Sequence, residues 1–276
     1  MTVANTCHWA PNPTDHLKES TSLASPTRAV PPREPRHQLV APRTLAFRPA
    51  DLLAQTRRAP APHDTKRPVL PTTATALGAA ALVKAIPQDG GDAETSRGFI
   101  LEYSVHACSP RFRREVALVF PQFRTLNSTK PAPAKGGKGA APTITETSDL
   151  YIVPVCQPTH RSLVAVGAEI EGEKDDKLIN FVRWADCLRA LLAARGYWAD
   201  FTDPCSGYPV YSPRGASFYP DVAGCQYLLR YAVTTADGCS VLVHPRWDTS
   251  FYPATFFTTA PPNVIEAAVQ QMATSQ

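Results

Sequence analysis

Seven cysteines stand at positions 7, 108, 156, 187, 205, 225 and 239, yet no two form a Cys-x-x-Cys pair, and the number is odd. Zinc and dithiol chemistry therefore lack a ligand pair, and a reduced intracellular protein is the expectation. No apolar run approaches the roughly 20 residues of a membrane span, and the N-terminus has no apolar signal-peptide core, so neither insertion nor secretion is expected. An excess of one charge is missing too. The net charge of +4 divides into +3 over residues 1–96 (11 basic, 8 acidic) and +1 over residues 97–276 (17 basic, 16 acidic). No basic stripe is interleaved with stacking aromatics, so a nucleic-acid partner is not expected and the charges read as a solvated mixed surface.

Catalytic signatures are equally absent. There is no Gly-x-Gly-x-x-Gly after a strand, no Gly-x-Ser-x-Gly elbow, no His-Glu-x-x-His and no Asp-x-His-x-x-Gly. Nothing specifies a self-sufficient enzyme. Lys135-Gly-Gly-Lys-Gly139 has phosphate-loop composition without the spacing or the flanking strand and helix, and it falls in a Lys-, Pro-, Gly- and Ala-rich stretch, 127–147, that reads as a flexible insertion.

Aromatics are nearly absent from the first third. Residues 1–96 hold Trp9 and Phe47 alone, whereas Trp, Tyr and Phe total 4, 9 and 11 in the chain. Prolines crowd the same stretch, as in Pro31-Pro32-Arg33-Glu34-Pro35 and Pro60-Ala61-Pro62, so residues 1–96 read as a disordered Pro/Arg-rich arm. Residues 16–67 are rich in Arg, Ser, Thr and Pro but keep Glu19, Glu34, Asp51 and Asp64, which makes them only partly presequence-like. Cytoplasm and mitochondrion both stay open. Residues 97–276 suffice for one domain.

The domain reads as α+β with a mainly antiparallel sheet. Phe99–His106 is strand-like, and Ser109-Pro110 opens a helix carrying Phe112, Val116 and Val119. Leu150–Cys156 and Ser162–Glu169 suggest a hairpin. Asp175 or Asp176 then starts a long helix, with Leu178, Phe181, Val182, Leu188 and Leu192 at three- and four-residue spacing and Arg195 near its end. Gly196-Tyr-Trp-Ala-Asp-Phe-Thr-Asp-Pro-Cys-Ser-Gly207 follows: a glycine to end the helix, a strand with Tyr197, Ala199 and Phe201 on one face and Trp198 and Asp200 on the other, and the turn residues Asp203 to Gly207. Gln226–Thr234 and Cys239–His244 flank Thr235-Ala-Asp-Gly238 as a hairpin, and Ala254–Thr259 and Pro262–Val269 close the chain as strand and helix.

Three candidates for chemistry emerge. Cys239, beside the hairpin turn, stands where a thiol meets a metal or an electrophile, although lone cysteines are usually inert. His244 reads as structural rather than as a ligand. Asp200 and Asp203 mimic a carboxylate pair, but the turn explains Asp203 and no acid/base partner is evident.

Tyr197-Trp-Ala-Asp-Phe-x-Asp-Pro-x-Ser-Gly207, with Gly238-Cys239, His244-x-x-Trp247-x-Thr249, Phe257-Thr-x-Ala260 and the earlier Cys108-x-x-x-Phe-Arg-Arg114, resembles the methylmalonic aciduria and homocystinuria type D family from about Phe99 to Val264. That resemblance implies a flavin-dependent nitroreductase-like architecture without its flavin, no enzymatic activity and no cofactor bound by the chain alone. It implies a complex with the type C cobalamin-processing protein, delivery of cobalamin to methionine synthase or methylmalonyl-CoA mutase, and a hairpin cysteine that ligates cobalt on the partner. The family has adjacent cysteines after the hairpin glycine, with the first favoured as ligand, whereas this chain has Gly238-Cys239-Ser240. Ungapped alignment to His244 puts Cys239 on the second; one deleted residue would put it on the first. The alternatives are a flavin-dependent reductase, which would purify yellow, and a binding module whose complex forms without Cys239.

Overall fold

The computed structural model describes residues 35–58, 98–123, 149–165, 167–236 and 238–273. The insertion 127–147, with its Lys135–Gly139 run, and residues 1–34 and 59–97 lie outside them. The described elements in chain order are β1 (Gln38–Phe47), α1 (Pro49–Arg58), β2 (Phe99–Ala107), α2 (Pro110–Val119), a 3-10 turn (Pro121–Phe123), β3 (Tyr151–Pro158), α3 (Ala168–Ala193), β4 (Ala199–Phe201), α4 (Asp221–Leu229), β5 (Ala232–Ala236), β6 (Cys239–Val243), β7 (Phe251–Thr258) and α5 (Pro262–Met272). Five strands form an antiparallel sheet in the order β1-β2-β3-β7-β4, and β5 and β6 make a separate two-stranded sheet. The fold is the expected α+β with a mainly antiparallel sheet.

Side chains alternate across the pleat, and the alternation sorts the layers. Leu101, Tyr103, Val153, Val155, Phe201, Ala254 and Phe256 pack on one face with Phe181, Trp184 and Leu188 of α3 and Ile265 and Val269 of α5. Glu102, Ser104, His106, Asp200 and Thr255, all buried, alternate with them on the other face, which α2 and α4 cover. The first face is an apolar core; the second carries the buried polar groups. Local signals set several boundaries. Ser109 Oγ accepts from Phe112 N (3.3 Å) to cap α2, and Gly196 ends the α3 region with φ at 82°.

Four expectations are corrected. The arm 1–96 is not structureless where described: β1 pairs along β2, and α1 packs against α3 through fully buried Leu52. Pro42 hid the strand, but β1 is an edge strand, where a missing N–H is tolerated. Ser162–Glu169 is no hairpin partner of β3, because β2 and β7 already occupy both its edges; residues 162–165 turn instead. The long helix starts at Ala168 rather than near Asp175, since only Ile170 is buried before Leu178 and its exposed first turns carry no apolar period. Gln226–Thr234 is divided: its first four residues finish α4, Arg230 breaks the helix in the left-handed region at φ 63°, and the strand begins at Ala232.

Candidate functional site

The β5–β6 hairpin carries the candidate thiol. Ala236 pairs with Cys239 as its outermost rung, and Gly238 takes φ 78°, the positive value a two-residue hairpin turn needs. Asp237 and the Cys239 side chain lie outside the described structure, so Cys239 is placed by its backbone. Thr234, Thr235, Gly238 and Ser240 are exposed, whereas Leu242 is buried against Cys225, Leu229 and Phe251. The hairpin is thus rooted at one end and open to solvent at the other.

Its root is polar as well. His244, directly after β6, closes a tight loop by exchanging backbone hydrogen bonds with Asp248. His244 Nδ1 accepts from the N–H groups of Arg246 (3.1 Å) and Trp247 (3.3 Å), so the ring proton sits on Nε2, which donates to Glu102 Oε1 at 2.9 Å. The ring stacks on Trp247 with centroids 4.2 Å apart and meets Tyr231 edge-on at 5.0 Å. Glu102 of β2 also accepts from Thr44 Oγ1 (3.2 Å) and the Tyr231 hydroxyl (3.4 Å), with Arg246 Nη1 3.7 Å away. Burial pushes this carboxyl up, but the His244 hydrogen bond, then Thr44 and Arg246, outweigh it and hold Glu102 below the usual carboxylate range. Both ring nitrogens of His244 are thus engaged by protein groups. Thr249 bonds Ser162 (2.7 Å) and ties the 159–165 loop to the same corner.

The residues of the long motif gather elsewhere. Tyr197 packs with the apolar core and Trp198 with the opposite face, against Phe120 and Phe123. Asp200 accepts the backbone N–H groups of Phe201 (2.7 Å), Tyr211 (3.1 Å) and Ser212 (2.6 Å), while Asp203 caps its own turn through Cys205 N (3.1 Å) and Ser206 Oγ (2.8 Å). Pro204 sits in that turn, and Gly207 closes it at φ 69°. Both carboxylates accept backbone N–H groups. β4 lies three strand spacings from β2, about 14 Å, so this constellation is separate from the hairpin root.

The other described cysteines are poorly suited to donate a thiolate. Burial pushes the thiols of Cys108 and Cys187 up to about 12 and about 11, and those of fully buried Cys156 and Cys225 well above the ordinary value. Cys205 is disulfide-bonded, a departure from the all-reduced expectation. Among the described residues no three His, Cys, Asp or Glu side chains assemble as a metal site, and no helix is long and apolar enough to cross a membrane. Glu102, Thr44, Tyr231 and Arg246 went unmarked in the sequence. The one visible signal was a carboxylate inside the apolar run Phe99–Val105.

The model of the family described as methylmalonic aciduria and homocystinuria type D protein matches residues 138–272. Similar proteins named cobalamin trafficking protein CblD occur in Gallus gallus (24% identical over 163 residues, 59% of this chain and 48% of the relative), Rattus norvegicus (26% over 160 residues, 58% and 47%) and Homo sapiens (31% over 114 residues, 41% and 38%). The chain spans about half the length of the first two relatives and less of the third. The likeness read from the motifs is borne out over this region.

Proposed function

We propose, from the premise that this chain is a relative of the type D family over residues 138–272, that it is a non-catalytic adaptor of cobalamin trafficking. It docks on a partner that holds the cofactor, the type C cobalamin-processing protein, and presents the Cys239 thiolate to cobalt. The cofactor then passes toward methionine synthase or methylmalonyl-CoA mutase, in the cytoplasm, the mitochondrion or both. The observation that carries this reading is the place of Cys239, on the outermost rung of a hairpin whose free end is exposed, within the matched region.

Chemistry supports the choice of residue. A thiolate is a soft ligand suited to cobalt, and an exposed element can reach a metal held on another protein. The buried free thiols cannot do so without unfolding the core. Nothing in the arrangement requires the chain to hold cobalamin alone, because the partner supplies the corrin and this chain a single axial donor. Mixing the protein with cobalamin-loaded type C partner is expected to change the cobalt absorption spectrum. Cys239→Ser is expected to abolish that change while leaving the unfolding midpoint in place. An unaltered spectrum with the wild-type chain, under conditions where the complex forms, rules out the thiolate role.

A further inference from the structure

We propose that Glu102 is the positioning residue of the β5–β6 hairpin, a single buried carboxylate that holds both of its feet and so sets where its free end stands. Tyr231 immediately precedes β5 and His244 immediately follows β6, and both donate to Glu102 Oε1, at 3.4 and 2.9 Å. Its other oxygen accepts from Thr44 of β1, and Arg246, 3.7 Å from that oxygen, donates to the same Thr44 hydroxyl at 3.0 Å. One side chain in the main sheet thus gathers β1 and both ends of an element that shares no rung with that sheet.

The hairpin needs such an anchor. An isolated two-stranded hairpin is marginally stable at best, and Leu242 is the one fully buried apolar side chain described on it. Apolar contact lets an element slide and rock, whereas hydrogen bonds to a charged, buried acceptor are directional and stronger than neutral ones. Leaving a carboxylate buried in a sheet is costly unless it is paired. Here the pairing partners are the hairpin's own feet and the loop after it. The stacked Trp247 and edge-on Tyr231 pack against the imidazole that donates to the carboxylate.

The proposal rests on the preceding reading only where cobalt is the readout, so its test has two arms. In the first, hydrogen–deuterium exchange is followed on the full chain without any partner. Glu102→Gln keeps the size and leaves one oxygen to accept, but removes the charge and sets an amide N–H₂ against Arg246. It is expected to speed exchange of the amides of residues 232–243 by about tenfold, with β3 and β7 unchanged. Tyr231→Phe, which removes one foot's hydroxyl alone, is expected to speed the β5 amides by a smaller factor. Unchanged hairpin exchange in both variants overturns the proposal, as does a rise spread equally over β3 and β7. In the second arm, cobalamin-loaded type C partner is added. Glu102→Gln is expected to weaken the cobalt absorption change while the complex still forms. A full-sized change from a hairpin shown to be loosened would overturn the positioning role. A wild-type chain that gives no cobalt change defeats the thiolate reading instead, and the exchange arm still decides the anchor.

Discussion

Asp200 shows how much one side chain can organise. Its Oδ1 takes the N–H groups of Phe201 and Tyr211 and its Oδ2 that of Ser212, so β4 and the 209–212 segment are stitched together by a fully buried carboxylate. Asp200→Asn keeps an oxygen for the first pair but turns an amide donor against Ser212 N–H. A loss of about 2 kcal/mol is expected, read as a lower denaturant midpoint at unchanged slope. Asp221, at the start of α4, is set differently. Burial, partly offset by the Thr255 hydroxyl and reinforced by Asp203, raises its carboxyl from 3.8 to about 7. A raised acid favours the protonated folded state, so its contribution is complete below the unfolded value and is lost as pH rises through about 7. Asp221→Asn is expected to flatten that part of the stability profile, seen by comparing urea unfolding of both proteins at acid and at mildly alkaline pH.

Two turns that look alike in sequence are built under different constraints. Gly207 and Gly238 both take positive φ, but an added Cβ at Gly207 meets the Tyr219 carbonyl and the Phe218 side chain, while at Gly238 it meets nothing within 4 Å. Gly238→Asn is therefore expected to be tolerated within a few tenths of a kcal/mol, because asparagine accepts left-handed φ and has room there. Gly207→Asn is expected to cost at least about 2 kcal/mol, because the segment bonded by Tyr219 N to Gly207 O must move. Thermal unfolding of the pair separates backbone strain from steric exclusion. The elements around them illustrate the same division. The cap of α2, the end of α3 and the β5–β6 turn are visible in a few adjacent residues, since each is closed by hydrogen bonds over two to four positions.

Across the whole molecule, the sheet is completed by a segment whose composition argues against structure. Phe47 is fully buried, stacked on Phe99 at 5.7 Å and edge-on to Trp184 at 6.4 Å, so β1 shares the core with α3. Phe47→Ala is expected to destabilise the entire domain by about 3–5 kcal/mol, in one cooperative transition rather than as local fraying. A loss below about 1 kcal/mol would mean that β1 is dispensable to the core.

The sequence by itself determined the fold class, the ends of several helices, the two-faced strand after Gly196, the hairpin beside Cys239 and the family likeness. All of these rest on periodicity or on contacts a few residues apart. Tertiary structure alone decided that β1 joins the sheet, that β3 is central and so refuses residues 162–169, that the free thiols of Cys156, Cys187 and Cys225 are buried, and that Glu102 meets His244. Those last two residues are 142 positions apart. No local pattern encodes such a meeting, because a buried carboxylate finds its donors only after the apolar faces of the sheet and helices have closed around it.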